Sequence, residues 1–174
     1  MSSRADEPGA LLSSLRAVGR LFLRLPPVTG PLLVVLWGGV IWSLSAMEGG
    51  DMPPNFWKSW LNNSAHAPLF GFLAFLSLVA FPRNAGWPVV GRFAVLLTMA
   101  SVGIYAGVDE WHQSQVAGRD ASGLDVLTDT VGAGVTLWVA GYLGVAEATG
   151  RGVALRLALG LSFCALAGLT ASLV

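Results

Sequence analysis

"VVGRFAVLLTMASVGIYAGVDEWHQSQVAGRDASGLDVLTDTVGAGVTLWVAGYLGV", residues 89–145, decides how this chain folds. Two apolar runs, Val89–Val108 and Leu124–Val145, flank a connection that holds Asp109, Glu110, His112, Gln113, Arg119 and Asp120. A helix that crosses a bilayer needs about 20 apolar residues at 1.5 Å rise each. Both runs meet that length, so they read as two crossings with a polar turn at one membrane face. Three more apolar runs lie outside this stretch, at Pro31–Met47, Ala65–Phe81 and Val153–Leu173.

The composition agrees. Hydrophobic residues make up 54% of the chain, charged residues 11%, and the mean hydropathy is +0.66. A soluble domain of this size would need far more charge to cover its surface. The expected fold is therefore all-α, a polytopic membrane helical bundle with five transmembrane helices. It divides into a basic segment at 1–29, a four-helix core at 30–145 and an additional C-terminal transmembrane helix at 146–174.

Charge sets the orientation. Eight of the ten basic residues fall on one side of these spans: Arg4, Arg16, Arg20, Arg24, Arg83, Arg92, Arg151 and Arg156. Lys58 and Arg119 fall on the other, with Glu48, Asp51, Asp109, Glu110, Asp120, Asp125 and Asp129. The positive-inside rule then places the N-terminus in the cytoplasm and the C-terminus outside. The polar connection faces outward. Residues Leu11–Leu25 read as an amphipathic basic helix on anionic inner-leaflet lipid. Cys164, the single cysteine, lies within the last apolar run and reads as a small buried hydrophobe. No nucleic-acid partner is expected.

Between the first two spans, Gly49, Gly50, Pro53 and Pro54 mark a turn, and Phe56, Trp57 and Trp60 follow along the outer surface at headgroup level. Trp111 suits the same aromatic belt and Trp87 the inner one. Gly103 and Gly107 in the third span, and Gly132 and Gly134 in the fourth, are spaced for close packing of those two helices.

In a helix that continues past Val108, Asp109, His112 and Gln113 share one face, while Glu110 turns toward another helix or the interface. Gly118 supplies a turn. Ser122 is placed to cap the fourth span, with Asp125 as the acidic partner of the cap. Asp125 and Asp129 lie one turn apart on one face, and Gly132 continues that face. An acidic residue at a span's centre costs about 2.5–3.5 kcal/mol, so Asp129, the deepest, must be protonated, hydrogen-bonded or paired. Arg119 and His112 are the expected partners. His66, at the outer start of the second span, adds a second histidine at the same level.

These residues resemble the signature of VanZ-like membrane proteins, which runs D-E-x-x-Q, often with His before the Gln, then G-R, S, D and N-x-x-G-A. The match falls on Asp109, Glu110, His112, Gln113, Gly118, Arg119, Ser122, Asp125, Gly132 and Ala133, with His66 matching an upstream family element. With "WSLS" at the end of the first span, the resemblance covers roughly Leu32 to Val145. Two positions depart from it: Asn63 stands where the family usually has Lys, and Asp129 where it usually has Asn. The first removes a positive charge from the outer site and the second adds a negative one. The family is named for a protein that lowers susceptibility to teicoplanin. The resemblance implies a bacterial cytoplasmic-membrane protein concerned with the cell envelope, and a lipid-headgroup role.

Four functional readings follow. In the first, an outward pocket performs phosphoester cleavage or headgroup exchange on a phospholipid or a polyprenyl-linked precursor at the outer leaflet. Arg119 would bind the phosphate bidentately. His112 would be general base or acid, with Asp109 or Asp125 fixing its tautomer. Gln113 and Ser122 would donate to a developing oxyanion, and His66, Glu110 and Asp129 would complete the pocket. The second reading keeps these residues as a non-catalytic module that binds lipid or cell-wall precursor. The third makes the stretch a polar clamp with Arg119 paired to Asp125, and the fourth a transporter. No cofactor is assigned. A divalent metal on Asp109, Glu110, Asp125 and His112 has no spacing signature here, and no H-E-x-x-H or G-x-S-x-G motif occurs.

Overall fold

Each of the five apolar runs forms a helix in the computed structural model, which describes residues 9–47, 56–119 and 122–172. The described residues hold six helices: α1 (Ala10–Leu23), α2 (Thr29–Ser45), α3 (Phe56–Leu78), α4 (Arg92–Gln113), α5 (Gly123–Leu143) and α6 (Gly150–Ala171). The expected turn at Gly49, Gly50, Pro53 and Pro54 lies outside the described residues, as do Arg4, Glu48, Asp51, Asp120 and the side chain of Lys58.

The polarity of the bundle is reversed relative to a soluble protein. Asp109, Asp129 and Thr128 are fully buried, whereas Leu96, Ile104 and Leu161 on the outer surface are each about 70% exposed. Water around such a surface would be unfavourable at about 25 cal/mol per Å² of apolar area. Lipid around it is neutral. Helices α4, α5 and α6 have the length and composition of membrane-spanning helices; α2 is apolar but has 17 residues. This is the architecture of a membrane protein.

Two boundaries differ from expectation. Helix α3 begins at Phe56, so the aromatic cluster is its first turns and not a segment lying separately along the surface. The rings of Phe56, Trp57 and Trp60 pack edge to face at 5.3 and 5.9 Å. No helix breaker stands between Phe56 and His66, so the helix nucleated in the apolar run extends back through Asn62 and Asn63. Pro68, inside α3, has no N–H to offer the Ser64 carbonyl one turn earlier.

The second difference is a short β-hairpin in the otherwise all-α fold, β1 (Arg83–Asn84) against β2 (Trp87–Pro88). Its two-residue turn, Ala85 and Gly86, takes positive φ at both positions (48° and 75°), the backbone that a tight two-residue hairpin demands. The hairpin turns Trp87 inward. Trp87 is not in an inner headgroup belt: it is 6% exposed, and its indole Nε1 donates to the Ala140 carbonyl at 2.8 Å. A Cβ on Gly19 or Gly144 would stand 2.6 or 2.7 Å from this ring, so both glycines are needed to seat it. Trp87→Phe removes the donor to Ala140 and is expected to cost about 1–2 kcal/mol, read as a lower unfolding temperature.

Helix α1 forms where the arginine spacing places it, and one face docks on the bundle. Leu12 and Leu23 are buried with Val153, Leu143 and Trp87, while Val18 and Leu21 stay more than half exposed. Arginines at this end close helix C-termini, where carbonyls lack partners. Arg16 donates to the carbonyls of Leu143 and Val145 at 2.9 and 2.8 Å. Arg83 donates to those of Leu23, Leu25 and Val79.

The tightest helix pair is α3 with α5. A Cβ on Gly132 would overlap the backbone of Ala67, and one on Gly71 would stand 2.7 Å from Thr136 Oγ1. This overturns the expected role of Gly103 and Gly107. A Cβ on Gly107 would meet nothing from another element within 4 Å and one on Gly103 only the Thr130 methyl at 3.9 Å, so α4 meets α5 through side chains.

Candidate functional site

The contact at Gly132 builds the site. Because α3 lies against α5 there, His66, next to Ala67, meets Asp129, just under one turn before Gly132. The His66 Nδ1 to Asp129 Oδ1 distance is 3.1 Å, and both side chains are buried. Around this pair stand Asp125 from α5, Asp109 and Glu110 from the last turns of α4, and Ser45 from the end of α2. Four carboxylates and one imidazole thus meet at one end of the bundle. None of the five acidic or basic residues is more than 8% exposed.

Asp109 and Glu110 are each held from one side. Asp109 Oδ2 accepts from Ser45 Oγ at 2.8 Å and from Gln113 Nε2 at 3.0 Å. Glu110 Oε2 accepts from the Ser122 backbone N–H at 2.7 Å. The other oxygens, Asp109 Oδ1, Glu110 Oε1, Asp125 Oδ1 and Asp129 Oδ2, are buried without a hydrogen-bond partner. A buried carboxylate without a partner is costly, and here four converge. Further, one donor atom each from His66, Asp109 and Glu110 lies within 4.8 Å of the others.

Several sequence-based expectations hold and several do not. Asp109 and Gln113 do share a buried face, and Glu110 does turn toward another helix, α5. Ser122 is the N-cap of α5, its Oγ accepting from Leu124 N–H at 3.2 Å. The acid that reaches back to the cap's own N–H is Glu110 and not Asp125. The longer glutamate spans the gap from α4, and Asp125 turns into the cluster.

Asp129 is paired with His66, not with Arg119 or His112. Arg119 closes the C-terminus of α2, donating to the carbonyls of Met47 at 3.0 Å and Leu44 at 2.9 Å. Those carbonyls are the negative end of a helix and hold the guanidinium more directly than Asp125 does. The polar clamp of Arg119 on Asp125 is not formed. His112 stacks on Trp42, ring centroids 3.7 Å apart and 14° from parallel, and no carboxylate among the described residues bonds to it. Arg119→Ala is expected to cost about 1 kcal/mol, as for loss of other helix-end contacts, seen as a small drop in unfolding temperature. It should leave the carboxylate cluster intact.

Ser45 is the one contributor outside the expected set, and its signal was the small polar residue that ends "WSLS". Asn63, where the resemblance leads one to expect Lys, donates to Ser172 Oγ on the α6 side at 3.2 Å, away from the cluster. Comparison with protein-family profiles, curated proteins and solved structures gave no match.

Proposed function

We propose that the chain is a VanZ-like protein of the bacterial cytoplasmic membrane with five transmembrane helices, N-terminus inside and C-terminus outside. Its His66–carboxylate cluster acts on the polar head of a phospholipid or polyprenyl-linked precursor at the outer leaflet, by phosphoester cleavage or exchange. The buried His66–Asp129 pair carries this reading. A carboxylate on Nδ1 holds the imidazole in one tautomer and leaves Nε2 to take or give a proton.

Depth supports the choice of substrate. The cluster sits in the last turns of α4 and the first two of α5, within about 10 Å of the helix ends at 1.5 Å per residue. That is where lipid heads meet acyl chains, and the exposed rings of Trp57 and Trp111 belong to the same end of the bundle. Glu110, tied to Ser122 at the entry to α5, stands on the rim between cluster and connection. His112 and Arg119, engaged by Trp42 and by α2, have supporting and not chemical roles.

The reading is tested by incubating purified protein with phospholipids and polyprenyl phosphates and following headgroups by mass spectrometry. Product from the native chain that is absent with His66→Ala and Glu110→Gln is the expected result. A lipid that co-purifies specifically, with no product from any member of the panel, would instead make the chain a binding module. A link to glycopeptide susceptibility follows from the resemblance alone and is read by teicoplanin sensitivity of cells with and without the protein.

A further inference from the structure

The geometry points to a divalent-cation site formed by His66, Asp109 and Glu110, each tied at one atom by an outer hydrogen bond, with a second oxygen of Asp109 and of Glu110 left bare and buried. This is the site just assigned to a lipid head, and the ion's part in holding a phosphate rests on that reading.

Charge makes the first argument. A phosphate brought to this cluster meets four carboxylates and a single imidazole, and Arg119 is engaged by the carbonyls at the end of α2. Such a cluster repels an anion unless a cation stands between them. Four orphaned carboxylate oxygens also demand donors or a cation in their own right.

Coordination geometry makes the second argument. A histidine that binds a metal donates its other ring N–H to a carboxylate or carbonyl, which fixes the ring and raises its basicity. His66 meets that condition when its Nδ1 carries the proton and donates to Asp129, which leaves Nε2 to ligate. Asp109 is oriented by Ser45 and Gln113, and Glu110 by the Ser122 N–H. Asp109 Oδ1 and Glu110 Oε1, the atoms opposite these bonds, are the bare ones. Donors from the three residues already lie within 4.8 Å of one another. Bonds of about 2.0–2.2 Å to one ion require these side chains to draw closer together than they stand here. Asp125 Oδ1 on α5, buried and without a partner, is a further candidate ligand.

One imidazole with two carboxylates is a mixed nitrogen and oxygen set, which suits Zn²⁺ or Mn²⁺ over Ca²⁺ or a thiolate-loving ion. Three protein ligands also leave positions for water or a phosphate oxygen, as catalytic sites do and closed structural sites do not. A bound ion would polarise that oxygen and neutralise two of the four carboxylates.

The test uses the full chain purified in detergent, stripped with chelator and titrated with Zn²⁺ or Mn²⁺ without added lipid. Bound ion is measured by elemental analysis, and Mn²⁺ by loss of the free-ion magnetic resonance signal. The native chain is expected to hold about one ion and to unfold at a higher temperature with the ion than without it. Glu110→Gln should abolish binding, and Asp129→Asn, which changes only the support of His66, should weaken it about 10–100-fold. The proposal is overturned if the native chain binds no ion and gains no thermal stability, or if Glu110→Gln binds as the native chain does. The thermal shift of the native chain needs no variant, so it decides the matter even where a substitution fails to fold. Lipid turnover by metal-free protein would sink the ion and leave the lipid reading standing. Tight ion binding without turnover of any lipid would do the reverse.

Discussion

Gly132→Val is expected to yield little or no folded protein. The added Cβ would overlap the Ala67 carbonyl and Cα, which are backbone atoms inside a helix and cannot rotate away. Ordinary overpacking costs about 1–3 kcal/mol because side chains yield; here α3 and α5 must separate, and the cost exceeds that range. Separation also pulls His66 away from Asp129, so the site is lost with the packing. Gly107→Ala is the matched control. A Cβ added at Gly107 would meet open space, and alanine in a helix interior is better than glycine by about 0.5–1 kcal/mol. Thermal unfolding and size-exclusion profiles of the two variants read the difference. If Gly132→Val runs as a single folded species with native unfolding temperature, the α3–α5 contact is wrong.

His66→Ala is expected to destabilise the bundle by about 3–5 kcal/mol, the cost of leaving one member of a buried ion pair alone. Asp129 is fully buried and would lose its only hydrogen-bonded partner among the described residues. The double variant His66→Ala with Asp129→Asn removes the stranded charge and should recover most of that loss. It should not recover ion binding or lipid chemistry, because the imidazole is gone. A double variant as unstable as the single one would mean that His66 acts through packing on Phe70, with which it stacks at 6.3 Å, and not through Asp129.

The Asp at position 129, a departure from the VanZ-like pattern, thereby acquires a physical role. An asparagine there could accept from His66 but carries no charge to balance an imidazolium. An aspartate accepts from the ring N–H and forms an ion pair with His66 when the ring is protonated. The same substitution leaves the cluster with an excess of negative charge, which is what a cation would offset.

Much of this was legible in the chain. Five apolar runs gave five helices, and the cap at Ser122 and the shared face of Asp109 and Gln113 follow from spacing alone. These are local properties: rise per residue, helical periodicity and the preference of a serine for a helix start. The level of the acidic residues also follows, because each sits a countable number of turns from a helix end. The hairpin at Arg83–Pro88 was less legible, since Asn-Ala-Gly is a weaker turn signal than Asn-Gly and the strands have two residues each.

Partnership was not legible. His112 lies beside Asp109 in the sequence and His66 far from Asp129, yet the structure pairs the distant histidine and stacks the near one on Trp42. Arg119 has acids near it in the chain, yet it serves the carbonyls of α2. Which faces meet depends on where two backbones approach most closely, and that is set by Gly132 against Ala67 rather than by Gly103 and Gly107, although both pairs of positions look alike as small residues in apolar runs. The sequence by itself determined a membrane-type helical bundle and the depth of its polar level, because rise, hydropathy and capping act within one segment. Only the tertiary structure decided that His66, Asp109, Glu110, Asp125 and Asp129 form one cluster, because their meeting depends on the contact geometry of α3, α4 and α5.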